Sequence, residues 1–187
     1  MRRLILIFGV SLVLSVMLVG PAGALTLVFE AEHYTELEPV MQVGTGDSTG
    51  DAGAHLFVPF RADHGPDSRY PPQAGSATYR IRVPVEGDYC LWGLVWWLWD
   101  VGDGFSVTVD DQTPEQSVRL TTARHREWHW ARGTVLHLTA GPHRLRFYGG
   151  LDGDKLDQFL LTSRAEDEFC PTRHMAETPQ YLERPAE

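Results

Sequence analysis

The segment from residue 128 to 162 carries the pattern that most constrains the fold of this chain. Apolar and polar residues alternate in the runs Arg144–Tyr148 and Gln158–Thr162, and a period of two is the mark of strands with one buried face. Residues 140–142, Ala-Gly-Pro, predict a turn between two such runs, because Gly tolerates positive φ and Pro cannot continue a ladder. The segment therefore predicts antiparallel β-structure. Asp157 interrupts an apolar face there, and a carboxylate in that position needs a partner.

Alternating runs of this kind recur along the chain, and no stretch after residue 24 shows a convincing helical period. Clusters of turn-forming residues at 44–51, 65–68 and 149–154 lie between them. About eight short strands joined by such turns are typical of an all-β sandwich or barrel. The predicted strands are Leu27–Ala31, His55–Phe60, Ala77–Val83, Tyr89–Trp96, Phe105–Val109, Val135–Leu138, Arg144–Tyr148 and Leu156–Leu161.

The N-terminus is typical of an export signal. Two arginines precede the apolar run Leu4–Val19, and Ala22-Gly23-Ala24 fits the small-residue rule for cleavage after Ala24. The expected mature chain of 163 residues suits one domain that is secreted, periplasmic or at the cell surface. An uncleaved anchor is the alternative. Without the two signal arginines, 14 basic side chains stand against 25 acidic ones, which disfavours nucleic acid and anionic lipid as partners.

Cys90 and Cys170 are the two cysteines of the chain. Export permits a disulfide between them. Closing a loop of about 80 residues would stabilise the fold by ~4 kcal/mol. The alternative is a buried thiol on a strand at Cys90 and an idle thiol in the tail at Cys170. Since no His or Cys neighbours them at ligand spacing, they do not form a zinc site.

The sequence holds no recognisable catalytic motif. It lacks a Gly-x-Ser-x-Gly elbow, a phosphate loop and a Cys–His nucleophile pair. His125 and His129 are four residues apart, but their surroundings predict loop and strand, and no Glu follows the first His as in zincins. We therefore predict a non-catalytic protein. A small hydrolase whose site is assembled from residues distant in sequence is one alternative.

Six pieces of sequence stand in order along residues 27–163: Phe29-Glu30-Ala31-Glu32, Gly87-Asp88-Tyr89-x-Leu91, Phe105-x-Val107-x-Val109-Asp110, Trp128-x-Trp130, Leu138-x-Ala140-Gly141-x-His143-x-Leu145 and Leu156-Asp157-x-Phe159-x-Leu161. Together they resemble the carbohydrate-binding modules of families 6 and 35, within the wider galactose-binding-like jelly rolls. The resemblance implies a two-sheet antiparallel β-sandwich over residues 25–163. From the residues themselves we expect the signal at 1–24 before it and a polar tail at 164–187 after it, loose beyond Cys170. The resemblance also implies a structural calcium ion and a sugar site.

Glu30 and Glu32 are the first two candidate calcium ligands. They lie two residues apart on a predicted strand, so their carboxylates point to one side, roughly 7 Å apart. Two like charges this close need a cation or an exposed face, and a solvated Glu-x-Glu edge strand is the alternative. The resemblance places Asp157 of the last strand beside the first strand. Three carboxylates suit Ca²⁺, which would then pin the two chain ends together.

Trp128 and Lys155 are the residues that the resemblance assigns to sugar binding. Flat aromatic rings stack on the C–H faces of pyranose rings, and Trp128 matches the first Trp of the family's Trp-x-Trp pair, with Trp130 expected in the core. Lys155 occupies the position of an Asn in those families. The exchange removes an acceptor and adds a charge. It favours an anionic sugar such as a uronate, or else indicates a lost site.

The run Trp96-Trp97-Leu98-Trp99-Asp100 places three Trp in four residues, which cannot all face one side of a strand. We expect Trp96 to end a strand, and Trp97 and Trp99 to enter the next loop as a binding surface. Asp100 would then be a hydrogen-bonding partner for a ligand. The alternative is a loop that folds over the end of the sandwich and buries both rings.

The resulting prediction is an exported β-sandwich that binds a polysaccharide or oligosaccharide without catalysis. A structural or adhesion module, with the Trp-rich loop packed on a protein partner, is the alternative from another class. The predicted ligand-binding residues are Trp97, Trp99, Asp100, Trp128 and Lys155, and the predicted calcium ligands are Glu30, Glu32 and Asp157.

Overall fold

β-Strands make up nearly all the regular structure in the computed structural model, which describes residues 23–46, 53–60, 75–99, 104–164, 169–171 and 174–183. The predicted signal segment lies almost wholly outside these ranges. Within them, no helix is long and apolar enough to span a membrane, and two short 3₁₀ turns occupy Pro114–Gln116 and Pro179–Tyr181. The strands are β1 (Thr26–Glu30), β2 (Glu36–Glu38), β3 (Gln42–Thr45), β4 (Ala54–Phe57), β5 (Ser76–Val83), β6 (Gly87–Trp96), β7 (Phe105–Val109), β8 (Val118–Leu120), β9 (His129–Leu138), β10 (Gly141–Tyr148) and β11 (Lys155–Thr162).

The strands form two antiparallel sheets. In the first sheet β3, β4, β11, β6 and β9 are neighbours in that order, and β1 also pairs with β11. Since β6 occupies one edge of β11, β1 and β4 share the other edge, one after the other. The second sheet has the order β2-β5-β10-β7-β8. The predicted two-sheet antiparallel sandwich is therefore confirmed, with the first and last strands side by side.

Apolar side chains of both sheets meet in one core. The ring of Phe159 on β11 lies at its centre, with centroids 4.9 Å from Phe29, 4.6 Å from Tyr79 and 4.8 Å from Phe147. The buried hydroxyl of Tyr79 donates a hydrogen bond to Ala31 O at 2.6 Å, so its polar atom is satisfied. Each such ring removed from water stabilises the fold by about 1.5–3 kcal/mol. The core thus joins β1, β5, β10 and β11.

β11 contains a β-bulge at Asp157. Leu156 pairs with Val95 and Gln158 with Leu94, so Asp157 is an extra residue without a counterpart on β6. The bulge explains why the buried apolar residues Leu156 and Phe159 are three apart on a strand whose period is two. It also sets Asp157 at the edge beside β1.

The C-terminal residues 174–183 are docked on the sandwich. The side-chain amide of Gln158 donates to Met175 O at 2.7 Å and accepts from Met175 N–H at 2.9 Å, and Thr178 N–H donates to Val28 O at 2.9 Å. This amide offers the donor and acceptor that an edge strand would offer. Gln158 is consequently fully buried although it points away from the core. The expectation of a loose tail is wrong for these residues.

The expected disulfide is not formed. Neither cysteine is in a disulfide: Cys90 is buried on β6, and Cys170 is exposed. Cys90 packs beside Trp92 in a small apolar cluster on the outer face of the first sheet. Phe169 covers this cluster, its ring centroid 6.4 Å from that of Trp92. Phe169 therefore contributes an apolar ring to this cluster, while the next residue, Cys170, is exposed to solvent. This agrees with the alternative prediction of one buried thiol and one thiol in the tail that forms no disulfide.

Candidate functional site

Three carboxylates gather where β1 leaves the sheet beside the bulge of β11. Glu30 ends β1, Glu32 follows in the next turn, and Asp157 is the bulged residue with 1% of its surface exposed. The N–H of Ala31 donates to Asp157 O at 2.9 Å, which holds this turn against the bulge. The structure thus brings together the three residues proposed from the sequence, and we call them the carboxylate cluster.

The neighbours of the carboxylate cluster compensate its charge only in part. Glu30 Oε1 accepts a hydrogen bond from Gln158 Nε2 at 2.8 Å. His174 of the docked C-terminal segment places Nε2 3.4 Å from Glu30 Oε2 and 3.9 Å from Asp157 Oδ2. Glu32 Oε2 is buried and accepts no hydrogen bond from any described residue. Negative charge is therefore concentrated at this site.

The electrostatics of the cluster disfavour three ionised carboxylates. Burial is the main cause that raises the pKa of Glu30, and the charges of Glu32 and Asp157 raise it further, against the opposing effects of the Gln158 hydrogen bond and His174. Burial likewise raises the pKa of Glu32, with a smaller contribution from Asp157. A cation between these groups would stabilise their ionised forms.

The donor set of the carboxylate cluster suits a hard divalent cation. Carboxylate oxygens are the ligands that Ca²⁺ prefers, with backbone carbonyls and water completing the shell, and the buried oxygen of Glu32 offers one such position. Among the described residues, however, no three His, Cys, Asp or Glu side chains already stand in a geometry that holds a metal ion. Rotation of the glutamate side chains would therefore have to accompany ion binding.

Aromatic and basic side chains line the outer face of the first sheet at the start of β11, where Lys155 precedes Asp157 by two residues. Lys155 pairs with Phe57 of β4 on one side and with Trp96 of β6 on the other, so the three side chains form a row across the sheet. The next residues, Leu156 and Val95, are buried in the core. The row must therefore point away from the core.

Trp128 completes this surface from the loop that precedes β9. Its ring meets Trp96 edge-on at 6.1 Å between centroids, and His55 of β4 edge-on at 5.7 Å. Lys155 Nζ lies 5.7 Å from the centroid of the Trp96 ring, within cation–π range. We call Trp96, Trp128, His55 and Lys155 the Trp128 cluster. It presents the partly exposed rings of Trp96 and Trp128 beside an ammonium group, and the buried imidazole of His55 contacts Trp128.

A second aromatic contact lies beyond the ends of β4 and β6. Phe60 and Trp99 stack with centroids 6.4 Å apart and ring planes 28° from parallel. The indole N–H of Trp99 donates to Asp152 O at 3.0 Å, which fixes the ring against the loop before β11. We call these two residues the Phe60–Trp99 pair. Trp99 thus lies at the surface, as the sequence predicted.

Trp97 does not belong to a binding surface. Its side chain is fully buried, its ring lies 5.7 Å from Phe105, and its indole N–H donates to Thr122 Oγ1 at 3.2 Å. The prediction that Trp97 enters an exposed loop is wrong. Alternation continues one residue beyond the end of β6, so Trp96 faces outward and Trp97 faces the core.

The remaining predicted ligand residue, Asp100, lies outside the described residues. The sequence analysis did not assign three further residues to a site: the partly exposed Trp96, the exposed Phe60 and the buried His55. The alternation of side chains along a strand indicates that Trp96 faces outward, because Val95 belongs to an apolar face and the next side chain must point the other way. Neither His55 nor Phe60 carries such a local signal, since their positions depend on which strands are neighbours.

The chemistry of the Trp128 cluster is recognition of a ligand with flat apolar faces and polar edges. Indole rings bury apolar C–H surface, while the Lys155 ammonium offers hydrogen-bond donors and a positive charge. Lys155 is the single lysine of the chain, within a net charge of −9. An acidic or hydroxyl-bearing group of a ligand therefore meets a locally favourable environment here.

Comparisons with solved structures find the same fold in carbohydrate-binding modules. The family 6 module of the laminarinase LamC from Zobellia galactanivorans superposes with a TM-score of 0.54 at 17% identity, over 74% of this chain and 99% of that chain. A family 35 module from Clostridium thermocellum gives a TM-score of 0.53 at 16% identity, over 73% and 96% of the two chains. The similarity therefore extends over these modules as whole domains.

Multidomain enzymes also contain this fold. The chain matches 28% of a Podospora anserina β-(1,4)-mannanase that carries a family 35 module, with a TM-score of 0.54 and 14% identity over 75% of this chain. No family sequence model and no curated protein sequence matches the chain. The sequence-based resemblance is confirmed at the level of three-dimensional structure. The chain has the jelly-roll fold of the carbohydrate-binding modules of families 6 and 35.

Proposed function

We propose that this protein is an exported, non-catalytic module that binds carbohydrate at the Trp128 cluster. The observation that carries the proposal is the contact of Trp128 with Trp96 and His55, which sets partly exposed rings beside Lys155 on one sheet face. Exposed aromatic faces flanked by polar groups suit pyranose rings. The shared fold with carbohydrate-binding modules supports the same conclusion. Catalysis has no part in this role.

The ligand class that best fits the Trp128 cluster is an acidic polysaccharide or oligosaccharide. Lys155 lies beside the ring of Trp96, 5.7 Å from its centroid. A uronate that stacks on the indole face of Trp128 or Trp96 would bring its carboxylate near this ammonium. A charge-assisted hydrogen bond to a carboxylate is roughly twice as strong as a neutral one. Uronate chains should therefore bind more tightly than neutral chains.

We further propose that Glu30, Glu32 and Asp157 hold a structural Ca²⁺. The raised pKa values of Glu30 and Glu32 and the buried oxygen of Glu32 support a cation at this position. Bound there, the ion supplies a cross-link between β1 and β11. The role proposed for the ion is in stability, as a link between these two strands, and not in ligand contact.

Isothermal titration calorimetry of the mature chain with a glycan panel tests the binding proposal. The panel contains oligogalacturonate, laminari-oligosaccharides and manno-oligosaccharides. We expect Trp128→Ala to lower the association constant about tenfold or more, equivalent to about 1.4 kcal/mol, and Trp128→Phe to lower it less because a flat ring remains. Val135→Ala, at an exposed position near the far end of β9, is the matched control.

Two outcomes would contradict the proposal. Wild-type protein that binds none of these glycans excludes the carbohydrate function, and a protein partner captured through Trp128 would then favour the adhesion alternative. Glycan binding that Trp128→Ala leaves unchanged, with an unaltered melting temperature, would exclude the Trp128 cluster as the site.

A further inference from the structure

The Phe60–Trp99 pair is an exposed aromatic surface outside the Trp128 cluster. Among the described large hydrophobic residues that are exposed, Phe60 (59%) and Trp99 (42%) are the two aromatic ones, and they touch each other. The others are valines scattered on different strands and loops: Val43, Val85 and Val135. Two adjoining exposed rings make a flat apolar surface, which single exposed valines do not.

The second aromatic surface lies on the two chain segments that continue β4 and β6. Phe57 and Trp96 lie in one row across the sheet through Lys155, and Phe60 and Trp99 follow them by three residues each. Three extended residues span at most about 11 Å. The second surface therefore follows the first along the direction of β4 and β6, just beyond their ends, close enough for a short run of linked sugar rings to touch both.

The residues between these two surfaces fix the backbone. Val58 and Trp97 are fully buried, so each chain is anchored in the core between its two outward-facing aromatics. Val58 N–H donates to Asp154 O at 3.0 Å and Val58 O accepts from Gly153 N–H at 2.8 Å, while Trp97 O accepts from Arg126 N–H at 2.7 Å. A backbone held in this way lowers the entropy cost of ordering the rings on binding.

We propose that the Phe60–Trp99 pair is a second sugar-stacking subsite, so that the ligand is a glycan chain bound along its length across both surfaces. This inference rests on the proposed function of the Trp128 cluster. Sugar that stacks on Trp128 continues toward Phe60 and Trp99 along the direction of β4 and β6. Affinity then depends on chain length, and the two subsites contribute to different parts of the ligand.

Size ladders of oligogalacturonate, laminari-oligosaccharides and manno-oligosaccharides, from disaccharide to hexasaccharide, test the inference by calorimetry on the mature chain. The wild-type association constant should rise about tenfold or more between disaccharide and hexasaccharide. Trp99→Ala and Phe60→Ala should each remove most of this rise and leave disaccharide binding unchanged. Trp128→Ala should weaken binding at every chain length. Val43→Ala should change neither the association constant for the disaccharide nor its rise with chain length.

The outcomes separate the inference from the function on which it rests. Association constants that stop rising at the disaccharide, or hexasaccharide binding that both Trp99→Ala and Phe60→Ala leave intact, would overturn the second subsite while carbohydrate binding stands. Absence of binding to all three ladders would overturn the proposed function itself. Phe60→Ala removes no hydrogen bond, so it keeps the test valid where Trp99→Ala lowers the melting temperature.

Discussion

Trp97 begins a chain of hydrogen bonds that ends at Glu127 in an exposed loop. Its indole N–H donates to Thr122 Oγ1, which in turn lies 2.6 Å from His129 Nε2, and His129 Nδ1 lies 2.9 Å from Glu127 O. Burial lowers the pKa of His129, which favours the neutral ring with its proton on Nδ1. Nδ1 then donates to Glu127 O, and Nε2 accepts from the Thr122 hydroxyl. This chain fixes the loop from which Trp128 projects.

The lowered pKa of His129 predicts a loss of stability in acid. An unfolded chain protonates its His near pH 6.5, before the folded chain does, so the contribution of His129 is present above that pH and is lost below it. His129→Gln removes two hydrogen bonds, each with a net contribution of about 0.5–1.5 kcal/mol, at pH 7.5. We expect its deficit in the free energy of unfolding, measured by urea denaturation, to shrink at pH 5.0.

His137→Gln is the matched control for this measurement. His137 is exposed, and its hydrogen bond to Asp88 is the main cause that raises its pKa. Its contribution is therefore present at low pH and is lost as the pH rises, the opposite sign to His129. A deficit of His129→Gln that is equal at both pH values would contradict the assignment of a neutral, buried ring.

β6 packs so closely against the opposite sheet that no side chain fits at one of its positions, Gly93. Gly93 lies opposite Phe159 on β11 and Ala131 on β9. A Cβ at Gly93 would stand 2.4 Å from Leu120 Cδ2 and 3.2 Å from Leu156 Cδ1, and both leucines are fully buried. The close approach of β8 to β6 therefore depends on this glycine.

Gly93→Ala should destabilise the fold by about 1–3 kcal/mol, because overpacking forces buried side chains out of their preferred positions. Gly87→Ala on the same strand is the control, since its Cβ would meet Tyr89 at an ordinary 3.9 Å. Chemical denaturation of both variants and the wild type gives the free energies of unfolding. A Gly93→Ala variant as stable as Gly87→Ala would show that Leu120 rearranges freely.

The molecule is closed by contacts between its first strand, its last strand and its C-terminal segment. Thr26 pairs with Thr162 and Glu30 with Gln158 along the β1–β11 ladder. Gln158 bonds both Glu30 and Met175, and His174 approaches the carboxylate cluster. The negative charge of the carboxylate cluster therefore affects the stability of the contacts between β1, β11 and the C-terminal segment.

Calcium should raise the melting temperature of the whole domain, and excess EDTA should lower it. An ion at one hundred times its Kd stabilises a fold by about 2.7 kcal/mol, which corresponds to about 5–10 °C for a domain of this size. Because the pKa values of Glu30 and Glu32 are raised, stability in EDTA should also fall as the pH rises above about 4.5. Scanning calorimetry at several pH values measures both effects.

Glu32→Gln should separate repulsion from ion binding. It removes one negative charge, so in EDTA the variant should be at least as stable as the wild type, and calcium should no longer raise its melting temperature. Glu115→Gln, at an exposed turn position, should keep the calcium response. A wild-type melting temperature that is the same in calcium and in EDTA would remove the calcium assignment.

The eight strands predicted from alternation all occur, and the three that were missed share a physical property. β2, β3 and β8 are three or four residues long and largely exposed or half-exposed, so they have no run of apolar residues that a pattern can reveal. The docking of residues 174–183 was missed for a related reason. It depends on hydrogen bonds from Gln158, a residue whose type alone does not predict a buried position.

By itself, the sequence determined that this chain forms antiparallel strands and which side chains of each strand share a face, because the period of two is a local property of the backbone. Only the tertiary structure decided that Trp97 stays in the core beyond the end of β6, and that His55, Lys155 and Trp128 form one cluster. Their proximity depends on the strand order β4-β11-β6-β9. Strand pairing depends on contacts between residues that are distant in sequence, and the local pattern of one strand does not specify which strands are its neighbours.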